Sequence, residues 1–182
     1  MPQEIIYKRA ETIEELIQIL ELQHANIPSV ISKEEKQQEG FVTVHHNFEI
    51  LKTMNNKCAH IIAVSKDKVI GYALCMLKEF KKEIEVLRPM FKQIDSHLNE
   101  DEAYVVMGQI CIDKRFRKQG VFRGLYQFMK DQLQPDYKVI VTEVDITNTR
   151  SINAHRAIGF NTLYSYCSNH QNWEILYWNL KE

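Results

Sequence analysis

The feature that most constrains the fold is an alternation of apolar patterns after residue 103. Residues 104–112 form a long apolar run that predicts a central strand, residues 121–133 repeat apolar positions at helical spacing, and residues 138–146 predict another strand. A strand, a helix and a second strand of these lengths make a crossover that places the two strands parallel to each other. The chain is therefore predicted to form a mixed sheet that helices cover.

Three helices are predicted before the central strands. Thr12 followed by Glu15 is a capping box, in which each side chain accepts the backbone N–H of the other residue, and it begins an amphipathic helix. Ser32 and Glu35 repeat the pattern, and this short second helix should end near Gly40, because glycine adopts the left-handed conformation at little cost. A third helical pattern covers residues 43–54. The expected core-facing positions of the first and third helices are Ile13, Leu16, Ile17, Leu20, Phe48, Leu51 and Met54.

The other elements complete the sheet and add an insertion. Residues 58–65 and 69–77 are apolar, β-branched runs around a polar turn at residues 66–68, which predicts a hairpin. Residues 80–98 repeat apolar positions at spacings of three and four, which predicts an amphipathic helix that is kinked or broken at Pro89. The remaining predictions are strands at residues 5–9, 160–166 and 173–180 and a helix at residues 149–158.

The composition is that of an ordinary globular protein. The 23 Lys and Arg residues nearly balance 24 Asp and Glu, for a net charge of -1, and this argues against a protein that coats nucleic acid or an anionic membrane. No repeat or linker divides the chain, so residues 1–182 are predicted to be a single domain. Without a signal-like start or a long apolar stretch, the chain is expected to be cytoplasmic. Buried, reduced thiols and no metal site are expected at the scattered cysteines Cys58, Cys75, Cys111 and Cys167.

The segment with the clearest chemical signal joins the strand at 104–112 to the helix at 121–133. Residues 113–120 form a loop that carries Lys114, Arg115, Arg117 and Lys118 and ends at Gly120. A helix that begins after such a loop can hold a pyrophosphate, because its free backbone N–H groups and its dipole attract anions. A solvated run of charges is the other interpretation of the spacing alone. The Walker phosphate loop and the dinucleotide fingerprint G-x-G-x-x-G are both absent.

Two motifs in this part of the chain resemble the GNAT superfamily of N-acetyltransferases. The first is Arg117-Lys118-Gln119-Gly120-Val121-Phe122, which resembles R/Q-x-x-G-x-G/A, the family's signature for the pyrophosphate of coenzyme A. The resemblance implies that these six residues bind coenzyme A. Phe122 departs from the signature, because it stands where a small residue is usual, so its side chain must turn away if the backbone is to approach the phosphates.

The second motif follows 28 residues after Gly120. Residues 148–160 resemble N-x-x-A-x-x-L-Y-x-x-x-G-F, with Ser151 at the Ala position and His155 at the Tyr position. In the family, the asparagine helps to bind the pantetheine arm and the tyrosine often protonates the leaving thiolate. The resemblance therefore implies that Asn148 and Ser151 contact coenzyme A and that His155 is a candidate catalytic residue.

The family resemblance covers roughly residues 58–180 and implies an α/β (α+β) fold. The expected architecture is a mixed, mostly antiparallel central sheet, flanked by helices on both faces, in which the fourth and fifth strands splay apart. The backbone of the fourth strand then pairs with pantetheine and offers an N–H to the thioester oxygen. In this sequence, that stretch is Ile110, Cys111 and Ile112.

Acetyl transfer to an amine needs a proton donor for the departing sulfur and a route for the amine proton. His155 is the candidate acid, because an imidazole of ordinary pKa can protonate a thiolate; alternatively, a neutral His155 accepts a hydrogen bond and has no chemical role. Glu143 on the next strand is a candidate base, because Met107 and Gln109 cannot accept a proton. A chain of waters, or an amine that arrives neutral, would also serve.

These features together predict an acyl-CoA-dependent N-acetyltransferase, with acetyl-CoA as cosubstrate and a small-molecule or peptide amine as acceptor. The alternative is a non-catalytic protein that binds coenzyme A as a sensor or interaction module. Neither nucleic acid nor a membrane is an expected partner, and a homodimer is compatible with the sequence. We expect residues 80–98 and the segment around Phe41 to border the acceptor cleft.

Overall fold

A seven-stranded sheet lies at the centre of the computed structural model, which describes residues 4–26, 45–99 and 101–181. The strand order is β1-β2-β3-β4-β5-β7-β6, and every neighbouring pair is antiparallel except β4 and β5, which are parallel. The strands are β1 (Ile6–Arg9), β2 (Ile61–Ser65), β3 (Lys68–Met76), β4 (Tyr104–Ile112), β5 (Val139–Asp145), β6 (Asn161–Ser168) and β7 (Gln171–Asn179).

Helices cover both faces of this sheet. One core cluster joins the sheet to the first three described α-helices, and a second cluster joins it to the other two. The first set is α1 (Ile13–His24), α2 (Phe48–Lys57) and α3 (Arg88–His97), and the second is α4 (Val121–Leu133) and α5 (Thr149–Arg156). No helix in the described part of the chain is long and apolar enough to cross a membrane.

Several local predictions are confirmed. The capping box at Thr12 is present, with Glu15 N–H donating to Thr12 Oγ1 at 3.1 Å and Thr12 N–H donating to Glu15 Oε2 at 3.0 Å. The β2–β3 hairpin turns at Lys66 and Asp67, whose φ angles of 49° and 60° match the right-handed twist of the flanking strands. The bounds of β4 and α4 are also those predicted from the apolar patterns.

The buried face of α1 differs from the prediction. Ile13 and Ile17 are 57% and 39% exposed, while Leu16, Ile19 and Leu22 are buried. The reason is that several faces of this helix carry apolar residues, so their spacing alone does not determine which one meets the sheet. Cys167 was likewise expected to be buried, and it is exposed on β6, whereas Cys58, Cys75 and Cys111 are buried as free thiols.

The insertion between β3 and β4 has the break predicted at Pro89, but the residues before the break do not form an α-helix. Two short 3-10 turns, Lys78–Lys82 and Glu85–Leu87, come first, and Pro89 lies in the opening turn of α3. A proline there interrupts no intrahelical hydrogen bond, because the first N–H groups of a helix have no partner within it. The predicted helix from Ser32 to Gly40 and the segment around Phe41, which is expected to border the acceptor cleft, lie outside the described residues.

The parallel strands β4 and β5 separate after a short paired stretch, as the family resemblance implies. They pair from Tyr104–Val139 to Val106–Val141, and no further pairs follow. On its other side β4 has a bulge, since Ala73 pairs with Ile110 but Cys75 pairs with Met107, which leaves one extra residue in β4. Gly108 lies in this bulge, where an added Cβ would be only 2.8 Å from Met76 Cε. A wedge therefore opens between the two strands.

Candidate active site

The loop between β4 and α4 forms an anion-binding cradle. Gly120 has a φ angle of 82°, and an added Cβ there would meet no atom within 4 Å, so open space lies beside it. The first intrahelical hydrogen bond runs from Gly124 N–H to Gly120 O at 2.9 Å. The N–H groups of the residues between these glycines therefore precede the helical ladder and are available to an anion.

A cavity of about 330 Å³ lies against this cradle and runs between β4, α4 and α5. Among the residues predicted to bind coenzyme A, only Gln119 does not line it; its side chain instead donates to Arg115 O at 2.8 Å. The predicted residues that do line it are Ile110, Cys111, Ile112, Arg117, Lys118, Gly120, Val121, Phe122, Asn148 and Ser151. The cavity thus combines a cationic loop, an unpaired strand edge and a helix N-terminus, a set of groups that fits a phosphate-bearing thioester.

The cations of the loop have different orientations. Arg115 pairs with Asp113 at 2.7 Å on the surface and does not line the cavity. Arg117 lines it while Nε donates to Ile112 O at 3.1 Å and Nη2 donates to Asn26 Oδ1 at 2.6 Å, so it ties the loop to β4 and to the end of α1. Arg123 and Arg150 also line the cavity, although neither was predicted from the sequence. Their position in the first turns of α4 and α5 is the sequence signal that could have identified them.

Phe122 turns toward α5, as its departure from the signature requires. Its ring packs edge-on against Tyr126 and His155, with centroid distances of 5.1 Å to each. The bulky side chain therefore forms part of the cavity wall and leaves the space beside Gly120 open.

The wedge between β4 and β5 holds a smaller pocket of about 50 Å³ that lies beside the cavity. The two share Ile110, Asn148 and Ser151 in their linings, so a thioester arm that passes Asn148 would reach the wedge. Asn148 caps α5, with its Oδ1 accepting Ser151 N–H at 3.2 Å. The candidate catalytic residues Glu143 and His155 both line this wedge.

Glu143 lies on β5 with a carboxyl group that is partly withdrawn from water. Burial raises its pKa to about 7, and the hydroxyl of Tyr166, which donates a hydrogen bond to Oε1, opposes the rise. A carboxyl with a pKa near neutrality is half ionised at pH 7 and can both accept and return a proton. The geometry therefore suits the role of base predicted for Glu143.

His155 lies on the opposite wall and is 1% exposed. Burial lowers its pKa to about 4, so the imidazole is neutral at pH 7. Ser151 O is 2.7 Å from Nδ1 and can only accept, so Nδ1 carries the proton, and Nε2 accepts from the Tyr126 hydroxyl at 2.7 Å. These contacts match the alternative in which a neutral His155 accepts a hydrogen bond. Its role as a general acid stays a prediction.

Other polar groups near the wedge are held by their neighbours. Gln109 Oε1 accepts from the Tyr72 hydroxyl at 2.6 Å, and Asp145 accepts from Thr147 N–H and Oγ1 at 2.8 and 2.7 Å. Burial raises the pKa of Cys111 to about 12, so its thiol is neutral and not a nucleophile. In the described part of the chain, no group of three His, Cys, Asp or Glu side chains could hold a metal ion.

Comparison with known proteins identifies the family. The sequence model described as Acetyltransferase (GNAT) family matches residues 14–160, which is most of the chain, and the protein belongs to this family. A search of the curated proteins found no match. The family resemblance and the fold class predicted from the sequence are both confirmed.

Solved structures share the fold over nearly the whole chain. The NatC complex bound to Gag peptide and CoA matches with a TM-score of 0.69 and 16% identity, over 97% of this chain and 98% of that chain. NAA60 of Arabidopsis thaliana in complex with acetyl-CoA matches with a TM-score of 0.69 and 13% identity, over 97% and 99%. The ribosomal-protein-S18-alanine N-acetyltransferase from Escherichia coli matches with a TM-score of 0.65 and 12% identity, over 97% and 94%. At such identities the likeness concerns the fold.

Proposed function

We propose that this protein is an N-acetyltransferase that transfers the acetyl group of acetyl-CoA to the primary amine of a small molecule or peptide by direct attack. The observation on which the proposal depends is the position of Glu143, a carboxyl with a pKa near 7 in a wedge beside the cavity between β4, α4 and α5, which we call the coenzyme A cavity. Family membership and the acetyl-CoA complex of NAA60 support acetyl-CoA as the cosubstrate.

In the proposed reaction, the residues of the wedge position the reactants and receive one proton. The amine nitrogen attacks the thioester carbon beside Glu143, whose carboxylate accepts the proton that the nitrogen loses as the C–N bond forms. The strand pairing of β4 with β5 ends at Val106 and Val141, so backbone N–H groups of β4 that face the wedge beyond this point can donate to the carbonyl oxygen as it becomes negative. The C–S bond then breaks and the sulfur leaves as a thiolate. Glu143 returns its proton to water, and the thiolate takes up a proton from water in turn, so the carboxylate is regenerated.

The protonated thiol of Cys111 favours direct attack, without an acetylated intermediate on the protein. Cys111 is the cysteine that lines the cavity, and burial keeps it neutral because its pKa is about 12. A neutral, buried thiol is a poor nucleophile. The acceptor amine itself is therefore the nucleophile that we propose.

An acetyl-CoA turnover screen against a library of amines and peptides tests the proposal. Release of coenzyme A thiol, together with the mass of the acetylated product, should identify at least one acceptor. If acetyl-CoA binds at micromolar concentration but no amine or peptide is acetylated above the rate of hydrolysis, the protein is the non-catalytic coenzyme A binder that the sequence analysis left as the alternative.

A matched pair of substitutions at Gly120 tests the coenzyme A site independently of turnover. Asn and Asp have the same shape and both tolerate a positive φ, so they differ mainly in charge. We expect Gly120→Asp to raise the Kd of acetyl-CoA by about 10-fold more than Gly120→Asn does, because a carboxylate beside the phosphates is repelled. Equal Kd values for the two variants, measured by calorimetry, would argue that the phosphates lie elsewhere.

A further inference from the structure

A second concave surface lies on the sheet face that carries α1, α2 and α3, beyond the wedge. It is a groove of about 390 Å³ between the start of α3 and the end of β6, and we call it the α3–β6 groove. The residues that line it are Arg88, Pro89, Lys92, Gln93, Tyr166, Cys167 and Ser168. It shares no residue with the coenzyme A cavity or with the wedge, so none of the steps above uses it.

The lining of the groove is cationic. Arg88 and Lys92 are one helical turn apart on α3, and no acidic residue in the described part of the chain lines the groove. Arg88 is paired with Glu85 at 3.3 Å, but the Glu85 side chain is 85% exposed, and such a surface ion pair is easily exchanged for a ligand. Among the described residues, no hydrogen bond or ion pair is made by the Lys92 ammonium group. The groove therefore presents two cations to an anion.

The wedge has the opposite character. Its lining includes the carboxyl groups of Glu143 and Asp145, two residues apart on β5 and so on the same side of the strand, and its one basic side chain, His155, is neutral. An amine arrives as a cation at pH 7, so these carboxyl groups attract it. The ammonium releases its first proton to water before it attacks, and Glu143 accepts the second as the C–N bond forms.

Tyr166 connects the two regions. It lines the α3–β6 groove, and its hydroxyl donates a hydrogen bond to Glu143 in the wedge. The insertion packs against β6 here, since His97 of α3 stacks on Tyr164 with ring centroids 4.1 Å apart, and this contact holds the cations of α3 beside the strand. A single tyrosine side chain thus separates a cationic groove from an anionic wedge.

We propose that the α3–β6 groove binds an anionic group of the acceptor, so that the acceptor is an amine that also carries a carboxylate or a phosphate. The inference rests on the proposed function and deepens it. The amine lies at Glu143, and the anion lies beyond Tyr166 at Arg88 and Lys92. A diamine or polyamine of similar length fits poorly, because its second cation would meet these two side chains.

The test compares acceptors that differ only in the distal group. Aminopentanoate, its amide and diaminopentane have similar lengths but carry an anionic, a neutral and a cationic distal group. The other ω-amino acids, from glycine to aminohexanoate, vary the length. Aminobutyl phosphate replaces the carboxylate with a phosphate. We expect the best ω-amino acid, or the phosphate, to have a kcat/KM at least about 10-fold above that of its uncharged analogue, because a charge-assisted contact to two cations is lost in the analogue.

Substitutions assign that preference to the groove. In the double variant Arg88→Gln with Lys92→Gln, the ratio of kcat/KM between acid and amide should fall to about one, whereas Lys82→Gln, an exposed cation of the same insertion outside the groove, should leave it unchanged. Lys92→Glu should favour diaminopentane over aminopentanoate. An unchanged ratio in the double variant overturns the inference.

A binding measurement separates failure of this inference from failure of the proposed function. In a ¹⁵N NMR titration with aminopentanoate and with aminobutyl phosphate, the backbone amides of Lys92 and Ser168 should shift, and the double variant should not show these shifts. Shifts without acetylation of any amine would refute the proposed function and leave the groove as an anion site. Acetylation without such shifts and without any preference for anionic acceptors would refute the groove alone.

Discussion

The two walls of the wedge each carry a buried titratable side chain, Glu143 on β5 and His155 on α5, and the surroundings of the two differ. Glu143 has one hydrogen-bond donor, Tyr166, and a pKa raised to about 7. His155 has a partner at each ring nitrogen and a pKa lowered to about 4. The same loss of water raises one pKa and lowers the other, because burial favours the neutral form of both an acid and a base.

This difference separates a group that can exchange a proton at pH 7 from one that cannot. The Glu143 carboxyl is half ionised at that pH, whereas His155 stays neutral and keeps its single proton in a bond to a backbone carbonyl. We therefore expect the chemistry to depend on the β5 wall, and the α5 wall to act by packing. The predictions that follow test this division.

The largest effect is expected for Glu143→Gln, which removes the base and keeps the shape of the side chain. The kcat should fall by about 10²- to 10³-fold, while the Kd of acetyl-CoA should stay within about 2-fold, because the coenzyme A cavity does not include Glu143. Steady-state kinetics and calorimetry check the two values. As a control, Glu174→Gln changes a carboxylate that points to the other face of the sheet and binds Arg156 at 2.6 Å. A kcat for Glu143→Gln close to that of the wild type would remove Glu143 from the mechanism.

Tyr166→Phe should have the next largest effect. The Tyr166 hydroxyl favours the ionised carboxylate, so its loss raises the pKa of Glu143 further. The acidic limb of the kcat/KM profile, expected near pH 7 in the wild type, should move to higher pH by about one unit, and activity at pH 7 should fall about 5-fold, since the ionised fraction of the carboxyl falls from about one half to about one tenth. Recovery of the rate at higher pH distinguishes this shift from simple misfolding, which would lower activity at every pH.

Glu143 and His155 should change the free energy of unfolding with pH in opposite directions. The raised pKa of Glu143 contributes stability that is present below pH 4.5 and is lost as the pH rises through 7. The lowered pKa of His155 contributes stability that is present above pH 6.5 and is lost as the pH falls through 4. The free energy of unfolding of Glu143→Gln minus that of the wild type should therefore rise with pH between 4.5 and 7. For His155→Gln the difference should fall between pH 4 and 6.5.

Denaturant unfolding at several pH values measures these slopes. Any loss of packing in the variants is independent of pH, so only the slope is compared. His46 and His60 also have pKa values lowered to about 4, but they are present in every variant and cancel in the difference. Slopes of the same sign for Glu143→Gln and His155→Gln would contradict the difference between the walls.

The smallest effect on the rate is expected for Tyr126→Phe. The change removes the donor to His155 Nε2 and should lower the free energy of unfolding by about 1 kcal/mol, with kcat changed by less than about 3-fold. If His155 instead acts as the acid, the freed Nε2 should alter kcat and move a limb of its pH profile. A change of about 10-fold or more in kcat would therefore restore the general-acid role.

Much of the scaffold was predictable from the sequence because its signals are local. The capping box at Thr12, the turn at Lys66 and Asp67, and the strand and helix on either side of the Gly120 loop each depend on residues that are close in the chain. The residues predicted for the coenzyme A cavity come together for the same reason, since they belong to two strand-to-helix junctions. The predicted burial of Ile13, Ile17 and Cys167 and the α-helix predicted before Pro89 were wrong, because each depends on what the element packs against.

The sequence by itself determined the order of the elements, the anion-binding loop and the two candidate side chains of the wedge, since periodicity, capping and motif spacing encode them over a few residues. Only the tertiary structure decided their chemical states. Tyr166, the donor to Glu143, is 23 residues away in the chain, and Tyr126, the donor to His155, is 29 residues away. The cations of α3 lie beside β6, and the strands β4 and β5 come between α3 and β6 in the sequence. Hydrogen bonding and burial set these pKa values and charges, and both depend on contacts between segments that the sequence does not place next to each other.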